Sequence, residues 1–292
     1  MPRIIDCHNH TGWFGASGAK IVADMDAQGI QATWLLSWEV PLDEVDQDFY
    51  MRKFGVGEIG MPFAGVLQAA AQYPQRLVPG YCPDPRRPEA LDRLAAAVEQ
   101  HGVRVCGELK LRMMFDNPDA LEMYRLCARL KLPVVTHLDY PLAADRGRYP
   151  RPSYWYGGGI AALERALRLC PQTVLIGHGP GFWAHISADG KHLESVYPEG
   201  PIVPGGEVTR LLRECSNLYA DLSANSARNA LSRDRGFGRE FLLEFQDRLL
   251  FARDEYTGAL SQLLAGFNLP PAVMDKILCG NALRLVPLEN GR

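Results

Sequence analysis

Eight apolar, β-branched runs alternate with segments of helical period along the 292 residues, and that alternation leaves few folds open. The runs fall at 3–8, 30–37, 76–82, 103–110, 132–138, 172–178, 217–222 and 248–253. Between them, Leu91, Leu94, Ala95 and Val98 recur at i, i+3, i+4 and i+7 after Pro88, which is how an amphipathic helix opens and buries one stripe. Residues 119–131 repeat the pattern with Leu121, Tyr124, Cys127, Ala128 and Leu130. Strand–helix repetition demands right-handed crossovers and a parallel sheet. Eight units favour closure into an α/β (β/α)8 TIM barrel over an open sheet, and no glycine-rich dinucleotide fingerprint follows the first run. Barrels commonly reach this length undivided, so residues 1–292 are expected to form a single domain.

Composition narrows the partners. The chain is 47% hydrophobic and 22% charged with a net charge of -3, which gives nucleic acid or an anionic membrane nothing to bind. No apolar run reaches the roughly 20 residues that span a bilayer, and the first strand starts without a basic stretch and hydrophobic leader before it. A cytoplasmic protein is the expectation. The seven cysteines are dispersed with no Cys-x-x-Cys pair and read as reduced core thiols. Cys7 is expected to point away from the face that carries His8 and His10, and not to act as a nucleophile.

Chemistry concentrates at the strand ends. In Ile4-Ile5-Asp6-Cys7-His8-Asn9-His10 a side-chain period of two puts Asp6, His8 and His10 on one face, so that two imidazoles can converge on one ion. By itself, His-x-His is weak evidence. His137, His178 and Asp254, however, end the fifth, sixth and eighth runs, where barrel active sites form. Five residues of ligand type opening on one mouth are hard to place by chance, and mostly histidine plus one aspartate makes a borderline-hard divalent site.

The fourth run, Val103-Arg104-Val105-Cys106-Gly107-Glu108-Leu109-Lys110-Leu111, has Val103, Val105, Leu109 and Leu111 as its outward apolar set. Glu108 and Lys110 then point inward, either as a structural ion pair or as part of a site. Two long connections, 140–158 and 179–204, follow strands at the same end and are expected to be irregular loops that wall a substrate pocket. Arg146, Arg148, Arg151, Tyr154 and Trp155 could meet an anionic or aromatic small molecule there. His101 and His192 read as solvated, His185 as a weaker candidate for substrate contact, and Asp221, Ser223 and Asn225 as pocket lining.

Asp-x-His-x-His on the first strand with these later residues resembles the amidohydrolase superfamily over nearly the whole chain. Ile277-Leu278-Cys279-Gly280-Asn281-Ala282 is similar to the closing Gly-Asn-Ala segment of the amidohydrolase-related branch, which includes aminocarboxymuconate semialdehyde decarboxylases. One departure is Phe-Ala-Arg-Asp on the eighth strand, where that branch usually has Phe-Gly-Ser/Thr-Asp. The resemblance implies His8, His10, His137 and Asp254 as ligands of one divalent ion, with His178 beside the bound water as acid/base. Asp254 would then serve in both roles. Zn2+ is the ion implied first and Mn2+ second, and Glu108 or Lys110 leaves room for a second ion. A homodimer is common in the branch.

Such an ion, held with an open position, lowers the pKa of bound water towards neutrality. The leading expectation is a metal-dependent hydrolase that uses metal-bound hydroxide on an amide, ester or lactone carbonyl. The alternatives are a non-oxidative decarboxylase or hydratase of an aromatic or unsaturated carboxylic acid, and a catalytically silent barrel that binds a small molecule.

Overall fold

The computed structural model describes residues 3–41, 44, 61–140 and 155–288. All eight expected strands are present: β1 (Ile4–Asn9), β2 (Ile30–Leu35), β3 (Leu77–Pro79), β4 (Cys106–Leu109), β5 (Val134–His137), β6 (Leu175–His178), β7 (Leu218–Asp221) and β8 (Leu249–Leu250). They run parallel in sequence order, β1 to β3 in one ladder and β4 to β8 in another. Backbone bonds at two seams join the ladders into a TIM barrel. Tyr81 N donates to Val105 O at 3.0 Å between β3 and β4, and Cys7 N donates to Phe251 O at 2.9 Å between β1 and β8.

Helices return the chain to the next strand wherever the pattern asks for them. The stripe after Pro88 forms Ala90–His101, buries Leu94 and Ala97, and stops at Gly102, whose φ of 66° suits a residue without a side chain. The next, Pro118–Leu130, opens on Asn117, whose side chain accepts from Asp119 N, with proline in the first turn where no amide is missed.

Burial sorts the strand residues into two layers. Outward residues such as Leu77, Cys106, Val134, Leu175, Leu218 and Leu249 pack against the helices. Inward ones, Ile5, Cys7, Trp34, Leu36, Val78, Val105, Val135, Ile176, Leu250 and Ala252, fill the lumen together with Ala282 and Val286 from the C-terminal segment. This gives the Gly-Asn-Ala segment a physical role. Buried Asn281 donates through Nδ2 to Leu249 O and Gln246 O, both at 2.7 Å, which seats Ala282 in the floor of the barrel.

Strict alternation fails on two strands, and both failures correct the sequence reading. Asp6 does not share a face with His8 and His10. It lies on the outside, where its Oδ2 accepts from Arg253 Nε at 2.8 Å, while Arg253 also pairs with Asp24 on the first helix, α1 (Gly18–Gln28). Ile5 and Cys7 therefore face the lumen, and an irregularity between Asp6 and Asn9 turns His8 and His10 inward. Likewise Val105 belongs to the lumen, not to an outward set with Leu109, and the phase changes between Cys106 and Leu109 before Glu108. An extra backbone step on each strand thus swaps an apolar lumen residue for a ligand-type one at the next level.

Of the two long connections, residues 141–154 lie outside the described residues, and with them Arg146, Arg148, Arg151 and Tyr154. The other is not an irregular loop. It contains a short helix (Pro180–Ala184) and a 3-10 turn at Lys191–Leu193. Buried Arg233 pins it, through Asp189 at 2.6 Å and Gly200 O at 2.8 Å. The seven cysteines are free thiols, six of them buried.

Candidate metal centre

At the upper end of the barrel β1 and β4 to β7 turn ionisable side chains inward. His8, His10, Glu108, His137, His178 and Asp221 are all buried, with exposures of 6% or less. Buried imidazoles and carboxylates are tolerated only when partnered, so the hydrogen bonds decide what each nitrogen can do.

Asp221 organises two of them. Its Oδ2 lies 2.8 Å from His8 Nδ1 and its Oδ1 lies 3.0 Å from His178 Nδ1, with Ser223 Oγ donating to Oδ1 at 2.7 Å. A carboxylate against Nδ1 fixes that nitrogen as the N–H and leaves each Nε2 as a lone pair aimed at the centre. His10 is fixed in the same way by Leu36 O, 2.9 Å from its Nδ1. The consequence is that His8 Nε2 and His10 Nε2 face one another at 3.1 Å. Two lone pairs at that distance repel unless a cation or proton lies between them.

Glu108 links the halves of the cluster. Its Oε1 is 2.5 Å from His137 Nδ1 and 3.4 Å from His178 Nε2, and its Oε2 is 3.6 Å from His10 Nε2 and 3.9 Å from His8 Nε2. Asp254 closes the fourth side, with Oδ1 3.5 Å from His10 Nε2. Three overlapping groups result: His8, His10 and Glu108; Glu108, His137 and His178; and His8, His178 and Asp254. The four residues that the resemblance implies as ligands are all at the mouth, distributed among these groups.

The protonation balance reflects crowding of like groups. Burial opposes charge on His8, but Asp221 overcomes it and raises the imidazole to about 9. Burial and the neighbouring His8 push His10 down to about 3. Burial raises the Asp254 carboxyl above its usual range. Glu108 is held well below its usual range by Lys110 and His137, against its burial. Asp254 Oδ1 and His137 Nε2 are buried without a hydrogen-bond partner among the described residues. Orphaned acceptors, two facing imidazole nitrogens and an imidazole–carboxylate donor set together fit a divalent ion.

Backbone contacts hold the outer ligands in place. Trp13 Nε1 donates to Asp254 O at 2.9 Å, and Tyr256 OH donates to His10 O at 2.7 Å. Asp254 has a φ of 52°, a left-handed conformation that is unusual outside glycine and is accepted where it aims a functional group. Arg253, the departure noted in the sequence, points away from the centre to Asp6 and Asp24 and leaves Asp254 free to face it.

Other expectations need correction. Asp221 is not pocket lining but the residue that orients His8 and His178, while Asn225 is exposed. A signal for Asp221 was available, since Asp221 ends its strand as His178 ends the one before. Glu108 and Lys110 do not pair with each other, since the carboxylate binds His137 instead. His185 is buried and tied to Gly181 O at 2.6 Å, with its ring 4.3 Å from that of His192, so His192 is not freely solvated. His101 is exposed. Burial raises the Cys7 thiol well above its usual value, with Asp6 adding to the effect, which removes it as a nucleophile.

A family model described as Amidohydrolase matches residues 5–288. No curated protein matches the chain. Among solved structures, the 5-carboxyvanillate decarboxylase of Sphingomonas paucimobilis superposes with a TM-score of 0.62 at 13% identity, covering 99% of this chain and 100% of that one. The dihydroxybenzoic acid decarboxylase of Polaromonas sp. JS666, solved with manganese and the inhibitor 2-nitroresorcinol, gives 0.59 at 16% identity, with 98% and 97% covered. A probable 2-pyrone-4,6-dicarboxylic acid hydrolase of Acinetobacter baumannii, with citric acid bound, gives 0.56 at 14% identity, with 97% and 98% covered. At these identities the likeness concerns the fold.

Proposed function

We propose, since the chain belongs to the amidohydrolase family, that it is a metal-dependent hydrolase of an amide, ester or lactone carbonyl in a small molecule. The observation that carries this reading is the reach of Glu108, one oxygen towards His8 and His10 and the other towards His137 and His178. A carboxylate shared by two ligand groups would suit a pair of divalent ions, which would supply charge stabilisation to both the attacking and the leaving oxygen in hydrolysis.

His8, His10 and Asp254 would hold the first ion with Glu108, and His137 and His178 would hold a second from the other side of Glu108. Zinc suits this donor set, and manganese is the alternative, as in the Polaromonas decarboxylase. Bound there, the metal lowers the pKa of water and polarises the carbonyl. The chain's own groups then handle protons. Asp254, raised by burial and with Oδ1 unpartnered, takes the proton from the attacking water and returns it to the leaving group. His178, with Nδ1 held by Asp221 and Ser223, offers only Nε2 to the centre, where it would serve as a ligand of that second ion. Asp221 keeps its proton-free form throughout and acts by orientation.

A second reading, non-oxidative decarboxylation of an aromatic acid, is favoured by the two decarboxylases that superpose along the whole chain. The test is to load the protein with zinc or manganese and offer matched lactones, esters and amides beside aromatic carboxylic acids. Hydrolysis is the expected result. Carbon dioxide release without hydrolysis of any ester or lactone transfers the function to the second reading.

A further inference from the structure

Arg253, one residue before Asp254, is 1% exposed, and Asp6 against it is fully buried. Among the described residues its guanidinium forms ion pairs with Asp6 and Asp24 alone, outside the centre. Taking such charges out of water is expensive, and a well-packed apolar pair of similar volume is commonly as stable or more so. The pair is better accounted for by what it holds.

Asp6 grips Arg253 at two points. Its Oδ1 accepts from the Arg253 backbone N at 2.9 Å and its Oδ2 from Nε at 2.8 Å. The same carboxylate accepts from His8 N at 3.4 Å and from Asn9 Nδ2 at 3.3 Å. One anion therefore orders the chain on both sides of the seam, beside His8 on β1 and beside Asp254 after β8. Asp24 completes the row from α1, with its Oδ2 2.8 Å from Arg253 Nη2. A guanidinium can span two carboxylates in this way because its N–H groups are fixed in one plane, which a single ammonium cannot do.

The peptides that follow are held as well. Ala224 N donates to Arg253 O at 2.8 Å, Asp254 N donates to His8 O at 2.8 Å, and Trp13 Nε1 donates to Asp254 O at 2.9 Å. Between these anchors Asp254 adopts its φ of 52°, a strained conformation that persists only where the surroundings over-determine it. Its Oδ1 then lies 3.5 Å from His10 Nε2.

We propose that Asp24, Arg253 and Asp6 form a positioning device, which locks the end of β8 to β1 from outside the barrel and so sets where the Asp254 carboxylate stands among the histidines. Arg253 and Asp24 are positioning residues and touch no reacting group. Asp24 is the remote member, on a helix outside the barrel, and acts on the centre only through Arg253. The inference deepens the metal-dependent reading and rests on it for ligand geometry, whereas the hold on Asp254 is a property of the metal-free protein.

The experiment compares wild type, Asp24→Asn, Arg253→Lys and, as control, Asp26→Asn, which breaks the Asp26–Arg76 pair on the same helix. Hydrogen exchange of the segment spanning Asp254 is followed by mass spectrometry on metal-free protein. Cobalt(II) is then titrated in while its visible spectrum, which reports ligand geometry, is recorded. Asp24→Asn is expected to stay folded, to exchange at Asp254 about tenfold faster than wild type, and to bind cobalt about tenfold more weakly with shifted visible bands. Arg253→Lys keeps the charge but reaches only one carboxylate, and is expected to show the same changes or larger ones; Asp26→Asn is expected to show none. Wild-type exchange at Asp254 in Asp24→Asn, or an unshifted cobalt spectrum, overturns the proposal. Equal changes in Asp26→Asn also overturn it, because they would reflect a general loosening of α1. Should Arg253→Lys fail to fold, Asp24→Asn decides the outcome alone. Absence of cobalt binding in wild type removes the metal reading, while the exchange comparison still sustains or overturns the hold on Asp254.

Discussion

The lower and upper halves of the lumen are built by the same eight strands, yet they obey opposite rules. Below, Ile5, Trp34, Val78, Val105, Val135, Ile176 and Leu250 form a dry layer closed by Ala282 and Val286. Above, six of the strands, β1 and β4 to β8, lead into imidazoles and carboxylates packed so tightly that two nitrogens oppose each other at 3.1 Å. The lower layer gains stability from burial, by about 25 cal/mol for each Å2 of apolar surface removed from water. The upper layer gives stability up, because buried polar groups without full partners are unfavourable until a cation arrives. The comparison teaches that one half can be poised for chemistry because the other holds the barrel shut.

The largest effect that would break this division of labour concerns turnover. His10→Ala or Asp254→Asn should lose metal and lower kcat/KM by about a thousandfold or more while the fold persists. Metal analysis beside circular dichroism checks it, and a variant that unfolds as easily as one altered in the lower layer would erase the distinction. Next comes the converse substitution. Trp34→Ala empties the lower lumen and should cost about 3–5 kcal/mol in denaturant unfolding, with metal per folded protomer unchanged. If metal is lost in step with stability, the halves are one unit.

Asp221→Asn sharpens the comparison within the upper half. It keeps shape and hydrogen bonding but removes the charge that orients His8 and His178, so metal affinity should fall about 10–100-fold without loss of fold. Unchanged affinity in a competition titration would reduce Asp221 to packing. The smallest expected effect is on pH dependence. His8 is raised from 6.5 to about 9 in the metal-free protein, so its contribution to stability is complete below 6.5 and disappears as the pH rises through 9. The melting temperature of metal-free protein should decline over that interval. Zinc must displace the same proton, so zinc affinity should rise over it. Parallel trends for the two would contradict the assignment.

The barrel was legible in the sequence because a period of two and a period of 3.6 are local signals that survive packing. His137, His178 and Asp254 were legible because a polar residue ending an apolar run has few places to go. Two kinds of information were hidden. The phase changes on β1 and β4 put Cys7 and Val105 in the lumen, and no pattern within either strand announces an irregularity set by pairing with its neighbours. Asp221 was underestimated because its importance lies in reaching two histidines 43 and 213 residues away in sequence.

The seam between the first and last strands carries a consequence for how the protein is made. Asp254 N donates to His8 O at 2.8 Å, and Arg253 clasps Asp6 from outside. The centre therefore draws on the first and the last of the eight strands to be synthesised. A nascent chain exposes His8 and His10 early, as a loose chelating pair, and completes their surroundings only when Asp254 has left the ribosome and β8 has docked on β1. Lasting metal capture is thus tied to closure of the barrel, and a chain arrested before Asp254 would exchange its metal freely with any chelator in its surroundings.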